Sequence, residues 1–444
     1  MNSKRNQVLK YLTVLLMTVL FFVLAQVPRT EFWWTLSIFA LLFAGMVFLF
    51  FLSEEKVNPT KIFWAGILLR LAVFGFAPQW SDDVYRFLWD GELLEMGENP
   101  YLKTPNEWQR GNQNAVDAEL KLLFQNLNSP DYYSVYPPLN QAVFWFGAKA
   151  SMGIAWNGFM GLRLILLLGE IGVFFLLLRL LHTFQKPENL LILYWFNPLV
   201  ILEITGNFHF EGLVLLFLLF CIAALKRKKM ALSGGFWGLA IGMKLLPLML
   251  APTFLFFTNT RRRIAFWAGG GLALILSFAW LWLDQSYLNF LQSLRLYQGK
   301  FEFNASVYYL FREVGFWVQG YNIIGVLTKI LSLGTLVAIV FFSWKKKAST
   351  LPELVDLWVL IYLIYLILQP VVHPWYLIPA LGLSLLTNKN TFLIWTFASI
   401  FSYQAYGNPD FKENPLFLFI EYALVFAVIF LDYFLPKSKH LIQS

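Results

Sequence analysis

The chain reads as a succession of apolar runs separated by short polar joints. Residues 8–27, 32–52, 158–181 and 323–342 each approach the roughly 20 apolar residues that cross a bilayer. Further runs lie at 62–77, 190–205, 210–225, 264–283, 354–368, 376–386, 393–405 and 416–434. Two more, 231–243 and 245–257, are each too short for a comfortable span, with Lys244 and Pro247 at their junction. That pair predicts a broken helical hairpin. The segment 140–156 fits no full crossing and reads as an interfacial or re-entrant helix. The pattern as a whole predicts an all-α polytopic membrane protein of about 13 to 14 transmembrane helices. No internal repeat, low-complexity tract or linker divides it, so residues 1–444 form one integral membrane domain.

Composition agrees: 58% of residues are hydrophobic and only 14% charged, too few charges to coat a soluble globule of this size. The start, with Lys4, Arg5 and Lys10 before an apolar run, resembles a signal peptide. The many later runs favour an uncleaved first helix. Cys221 is the single cysteine, which excludes an intramolecular disulfide.

Charge then orients the chain. The net +8 comes in short clusters between runs: 226–229, 261–263, 345–347, and Lys437 and Lys439 in the tail. Such clusters mark cytoplasmic joints; a nucleic-acid surface would gather them on one soluble face. With every cluster inside, both termini are cytoplasmic and residues 78–140 form a large outer loop. That loop holds ten acidic and four basic residues, the opposite bias. Residues 284–319 form a second outer loop. A multi-pass protein of the cell inner (plasma) membrane is expected, with its lipid bilayer as a partner and no nucleic acid.

Five polar sites then fall on the outer side. Ser81-Asp82-Asp83 opens the large loop, with Ser81 a plausible N-cap and both aspartates in a first helical turn. Asp83, Arg86 and Asp90 share a helix face, where a carboxylate held by a cation suits a general base. A capped surface helix with a salt bridge is the bland alternative. His209 and Glu211 sit in a sharp turn between two runs, which an ordinary polar turn would also explain. Lys244 lies inside an apolar stretch, where a lysine is expensive unless paired or functional; snorkelling is the alternative. His373, fixed between two prolines and followed by Trp375 and Tyr376, could equally belong to an interfacial aromatic belt. Arg312 follows Tyr308 and Tyr309 in the second loop, where an amphipathic surface helix is the bland reading. Tyr136 precedes Pro137-Pro138 and reads first as a rigid turn. Together these supply a base, Asp82 or Asp83, and cations for an anionic headgroup. That suits transfer of a group from a lipid phosphate to a hydroxyl. No metal-ligand spacing of His and Cys occurs. The aspartate pair could help hold a divalent cation, but no cofactor is required where Lys and Arg neutralise phosphate.

The run Asp83-Val84-Tyr85-Arg86-Phe87-Leu88-Trp89-Asp90-Gly91, then Gly97-Glu98-Asn99-Pro100-Tyr101, resembles the GT-C superfamily of polyprenyl-phosphate-sugar-dependent glycosyltransferases. Within it the chain is similar to bacterial polyprenol-phosphate-mannose-dependent α-mannosyltransferases. Tyr136-Pro137-Pro138, Gly206…His209…Glu211, Lys244…Pro247 and His373-Pro374-Trp375-Tyr376 follow in order. The resemblance implies a GT-C-like bundle with juxtamembrane helices in an outer loop. It implies an inverting enzyme that moves a sugar, mannose by family likeness, from a polyprenyl-phosphate donor to a lipid-linked or cell-envelope glycan. It makes Asp83 the closest match to the base, with Asp82 second. Arg86, Asp90, Tyr136, His209, Glu211, Lys244, Arg312, His373 and Tyr376 become candidates for substrate binding. Two runs precede the loop where many members have one.

A transporter or lipid flippase for a glycolipid is the main rival; it predicts inverted repeats and midplane charges, neither of which is evident. An O-antigen ligase or polymerase would carry its large loop nearer the C-terminus. An oligosaccharyltransferase would add a soluble C-terminal domain, whereas Ser444 follows soon after the last run.

Overall fold

The computed structural model describes residues 2–112, 117–257 and 259–435; Lys437 and Lys439 of the expected inner tail lie outside them. Among the described residues the chain is helical throughout, with one isolated bridge between Phe303 and Val371. In chain order the helices are α1 Asn2–Leu24, α2 Phe32–Phe51, α3 Pro59–Phe74, α4 Asp83–Glu95, α5 Pro105–Gly111, α6 Ala118–Gln125, α7 Pro138–Ser151 and α8 Ala155–Thr183. A broken stretch follows: α9 Ile192–Trp195, α10 Pro198–Val200 and the π-helical turn Ile201–Gly206. Next come α11 Glu211–Lys226, α12 Met230–Met243, a 3-10 segment Leu246–Leu255, α13 Thr260–Phe278, α14 Ser286–Lys300, α15 Val307–Gln319 and α16 Ile324–Lys346. The last group is α17 Leu351–Leu368, α18 Ile378–Ser384, α19 Thr391–Ala398 and α20 Pro415–Tyr433.

The protein is a multi-pass membrane protein. Among the described residues seven helices are long and apolar enough to cross a bilayer, or eight if the bent pair around Asn197 counts as one. The sequence led to an expectation of about 13 to 14 crossings; shorter helices such as α3 and α11, of 16 residues each, fall below that length. Other expected runs are short or broken segments packed within protein: residues 374–386 are almost wholly buried and residues 391–407 largely so. A helix that does not face lipid need not run the full bilayer thickness. The hairpin at 231–257 is broken as expected. Lys244 is extended (φ −156°, ψ 135°) between α12 and Leu246–Leu255, and the Asn140 amide donates to the Met243 carbonyl there (2.7 Å).

Close helix contacts bring the site together. A Cβ on Gly91 would lie 2.3 Å from the Phe144 carbonyl oxygen, so only glycine lets α4 meet α7. α12 and α13 cross as closely: a Cβ on Gly234 would lie 1.9 Å from the Phe266 oxygen, the small-residue packing common between membrane helices. Two buried arginines lock the bundle. Arg70 pairs with Glu170 (2.9 Å) and lies 3.5 Å over the Trp195 ring. Arg163 donates to the carbonyls of Phe74, Phe76, Thr205 and Gly206. It thereby ties the end of α3, which leads to Asp83, to the turn that leads to His209.

Candidate active site

α4 begins with Asp82 as N-cap, not Ser81; the Ser81 hydroxyl instead accepts the Asp83 N–H (3.3 Å). The two aspartates face different partners. Asp82 is ion-paired with Arg29 (2.5 Å), whose guanidinium also sits 4.6 Å over the Tyr406 ring. Asp83 accepts from the Asn128 amide (3.0 Å), and His209 Nε2 lies 4.0 Å from its Oδ2. Its side chain is 28% exposed. The two thus differ in partner more than in access: Asp82, its side chain 40% exposed, holds Arg29, whereas Asp83 faces Asn128 and His209.

His209 follows the π-helical turn, where Phe208 takes a left-handed conformation (φ 67°). The His209 N–H donates to the Glu203 carbonyl (2.9 Å), and Nδ1 lies 2.8 Å from Glu203 Oε2. The imidazole stacks on Trp375 at 3.7 Å, and Trp375 stacks on His373 at 4.4 Å. Tyr376 lies edge-on to His373 (5.3 Å) and beneath Lys244 Nζ (4.8 Å). Lys244 is ion-paired with buried Glu211. Thus Asp83, His209, Glu211, Lys244, His373 and Tyr376 form one continuous set from four separate stretches of chain. Burial, reinforced by the His209 and Lys244 charges, pushes His373 down to about 3. His373 is therefore a neutral polar group and not the cation expected from the sequence.

Other candidates are placed differently. Arg86 and Asp90 do not join Asp83. They pair with each other (2.7 Å) inside the fold, one helical turn apart. Asp90 also accepts from Ser134 (2.6 Å) and Gln141 (2.8 Å), and Arg86 donates to the Ser129 and Tyr132 carbonyls. They brace the loop beneath the site. The Tyr136 ring packs edge-on against Phe87 and Phe144, and its carbonyl accepts from Tyr101 (2.5 Å). Arg312 belongs to another cluster, with Glu302 (3.4 Å), Glu313 (2.9 Å) and the Tyr309 ring. Two residues went unflagged in the sequence, Arg29 and Glu203. Glu203 had a signal: it is an acid inside an apolar run, which is costly unless functional or paired. Among the described residues no three His, Cys, Asp or Glu side chains converge as metal ligands.

The sequence model of the alpha-(1->6)-mannopyranosyltransferase family, N-terminal domain, matches residues 4–261, more than half of the chain. The chain belongs to this family. It is a glycosyltransferase of the mannopyranosyltransferase kind, acting in mannosyl transfer. The matched region of the mannopyranosyltransferase contains Asp82, Asp83, His209, Glu211 and Lys244; His373, Tyr376 and Arg312 lie beyond it. No curated protein matches the chain.

Proposed function

We propose that this mannosyltransferase moves mannose from a polyprenyl-phosphate donor to a hydroxyl of a lipid-linked or cell-envelope glycan at the outer face of the inner membrane. Asp83 acts as general base. It takes the proton of the acceptor hydroxyl, whose oxygen attacks C1 of the mannosyl group. The C1–O bond to phosphate breaks, its electron pair leaves on the polyprenyl phosphate, and a single displacement inverts the anomeric centre. Lys244, held against Tyr376 beside Glu211, meets the departing phosphate, and His209 and His373 flank it. The observation behind this reading is the division of the aspartates: Arg29 is paired with Asp82, while Asp83 lies 4.0 Å from His209.

The test is transfer of labelled mannose from polyprenyl phosphate to mannoside acceptors by purified protein. Asp83→Asn is expected to lower kcat by roughly 10²–10⁴-fold, the usual contribution of a general base. Wild-type turnover by Asp83→Asn would remove Asp83 from the mechanism.

A further inference from the structure

Resting on that reading of Asp83, we infer that Glu203 is a positioning residue for the transfer: it orients His209, and through His209 it sets up Asp83.

Glu203 cannot touch substrate, because it is 0% exposed. It lies in the π-helical turn Ile201–Gly206, a local irregularity frequent at functional sites. That turn brings the Glu203 carbonyl to the His209 N–H (2.9 Å) and its carboxylate to His209 Nδ1 (2.8 Å). The ring nitrogen lies against the carboxylate without the alignment of a formed hydrogen bond. The other partner of the carboxylate is the Tyr403 hydroxyl, which donates to it. A tyrosine is neutral, and a buried carboxylate is costly without a cation. His209 is the ionisable ring placed directly beside it. Trp375 covers one face of the imidazole at 3.7 Å, which fixes the ring plane. The far nitrogen, Nε2, is thereby aimed at Asp83 Oδ2 from 4.0 Å. This is too long for a direct hydrogen bond but close enough for the two groups to influence each other electrostatically. The sequence Glu203–His209–Asp83 is a carboxylate orienting an imidazole that faces the reacting group, the logic by which a third residue orients a catalytic pair. The plainer role for Glu203 is to anchor Tyr403, and it predicts different behaviour.

The experiment compares Glu203→Gln, Glu203→Asp and Tyr403→Phe in the labelled-mannose assay, with His209→Asn as the second axis of a double-mutant cycle. Asp keeps the charge and loses the length; Gln keeps the length and loses the charge. Glu203→Gln is expected to lower kcat on the order of 100-fold with KM unchanged. Glu203→Asp should retain more activity than Glu203→Gln, and Tyr403→Phe should stay near wild type. In the His209→Asn background Glu203→Gln should cost nothing further. Gln equal to or better than Asp, an equal loss in Tyr403→Phe, or additive losses in the cycle would overturn the inference. Asp83→Asn, run alongside, separates the two claims. If it is inactive while Glu203→Gln turns over at the wild-type rate, the base stands and only the role of Glu203 falls.

Discussion

At the scale of single residues, charge partners decide roles that spacing leaves open. Asp82 and Asp83 are adjacent and chemically alike, yet Arg29 ties up only the first. The resemblance pointed to Asp83 as the closer match, but no feature of the sequence joins residue 29 to residue 82. Arg86 and Asp90 show the converse. Their i, i+4 spacing was legible, but spacing does not tell an exposed helix face from a buried one, and here the pair is inside. Lys244 was legible because a lysine amid apolar residues is costly; its partner Glu211 was legible only as a turn residue. That pair yields a prediction. Lys244→Met alone leaves the Glu211 carboxylate buried without its cation, at a cost of about 3–5 kcal/mol, so the detergent melting temperature should fall clearly. Adding Glu211→Gln should restore most of the stability. It should not restore transfer, because the cation for the phosphate is gone, and KM for the donor should stay raised. Recovery of activity with stability in the double variant would make Lys244 a structural residue only.

At the scale of elements, the sequence conveys breaks that have a chemical cause and misses those made by packing. Pro247 and Lys244 announced the gap between α12 and Leu246–Leu255, and the gap is there. The π-helical turn at Ile201–Gly206 has no proline or lysine to announce it; Arg163 binds its last two carbonyls, those of Thr205 and Gly206. The corner where α4, α6 and α7 meet was likewise invisible. There Glu92 and Glu119 both lie on the Ser151 hydroxyl, at 2.9 and 3.2 Å. One hydroxyl proton cannot serve two ionised carboxylates. Burial first, then the charges of Glu119, Asp117 and Glu95, push Glu92 up to about 7 from the ordinary 4.5. The folded protein therefore holds that proton more tightly than the unfolded chain. The stability this lends is full below about 4.5 and lost as pH rises through about 7. Glu92→Gln, which fixes the neutral form, should raise the melting temperature at pH 8 by roughly 1–3 °C. At pH 4.5 the two proteins should melt nearly together. An equal gain at both pH values would mean that the ionisation of Glu92 is not the cause.

At the scale of the whole molecule, the sidedness inferred from charge meets the helix connectivity in one hairpin. α11 begins at Glu211 and ends at Lys226, a rise of about 24 Å. α12 returns from Met230 to Met243, and Lys244 comes back beside Glu211. The basic turn 226–229 and the candidate site residues Glu211 and Lys244 thus occupy opposite ends of the same pair. α16 repeats the pattern, ending in Lys345 and Lys346, and α17 then runs back to the stretch that holds His373. A basic cluster at the far end from the site is what an outward-facing site with positive-inside joints requires. The number of crossings was hard to read, because apolar runs buried in protein and runs facing lipid look alike in sequence. The topology therefore needs its own measurement. Lys121 lies in the large loop and Arg227 in the basic turn, both exposed, while the native Cys221 is buried and should contribute little background. In intact cells with the outer barrier opened, a membrane-impermeant maleimide should label Lys121→Cys at once. Arg227→Cys should be labelled only after the inner membrane is permeabilised. The reverse order would place the Asp83 loop in the cytoplasm, and the donor's sugar phosphate would then have to be met on that side. Transfer activity in sealed, oriented vesicles gives the same answer independently: donor and acceptor supplied to the face that carries Lys121 should be the productive arrangement.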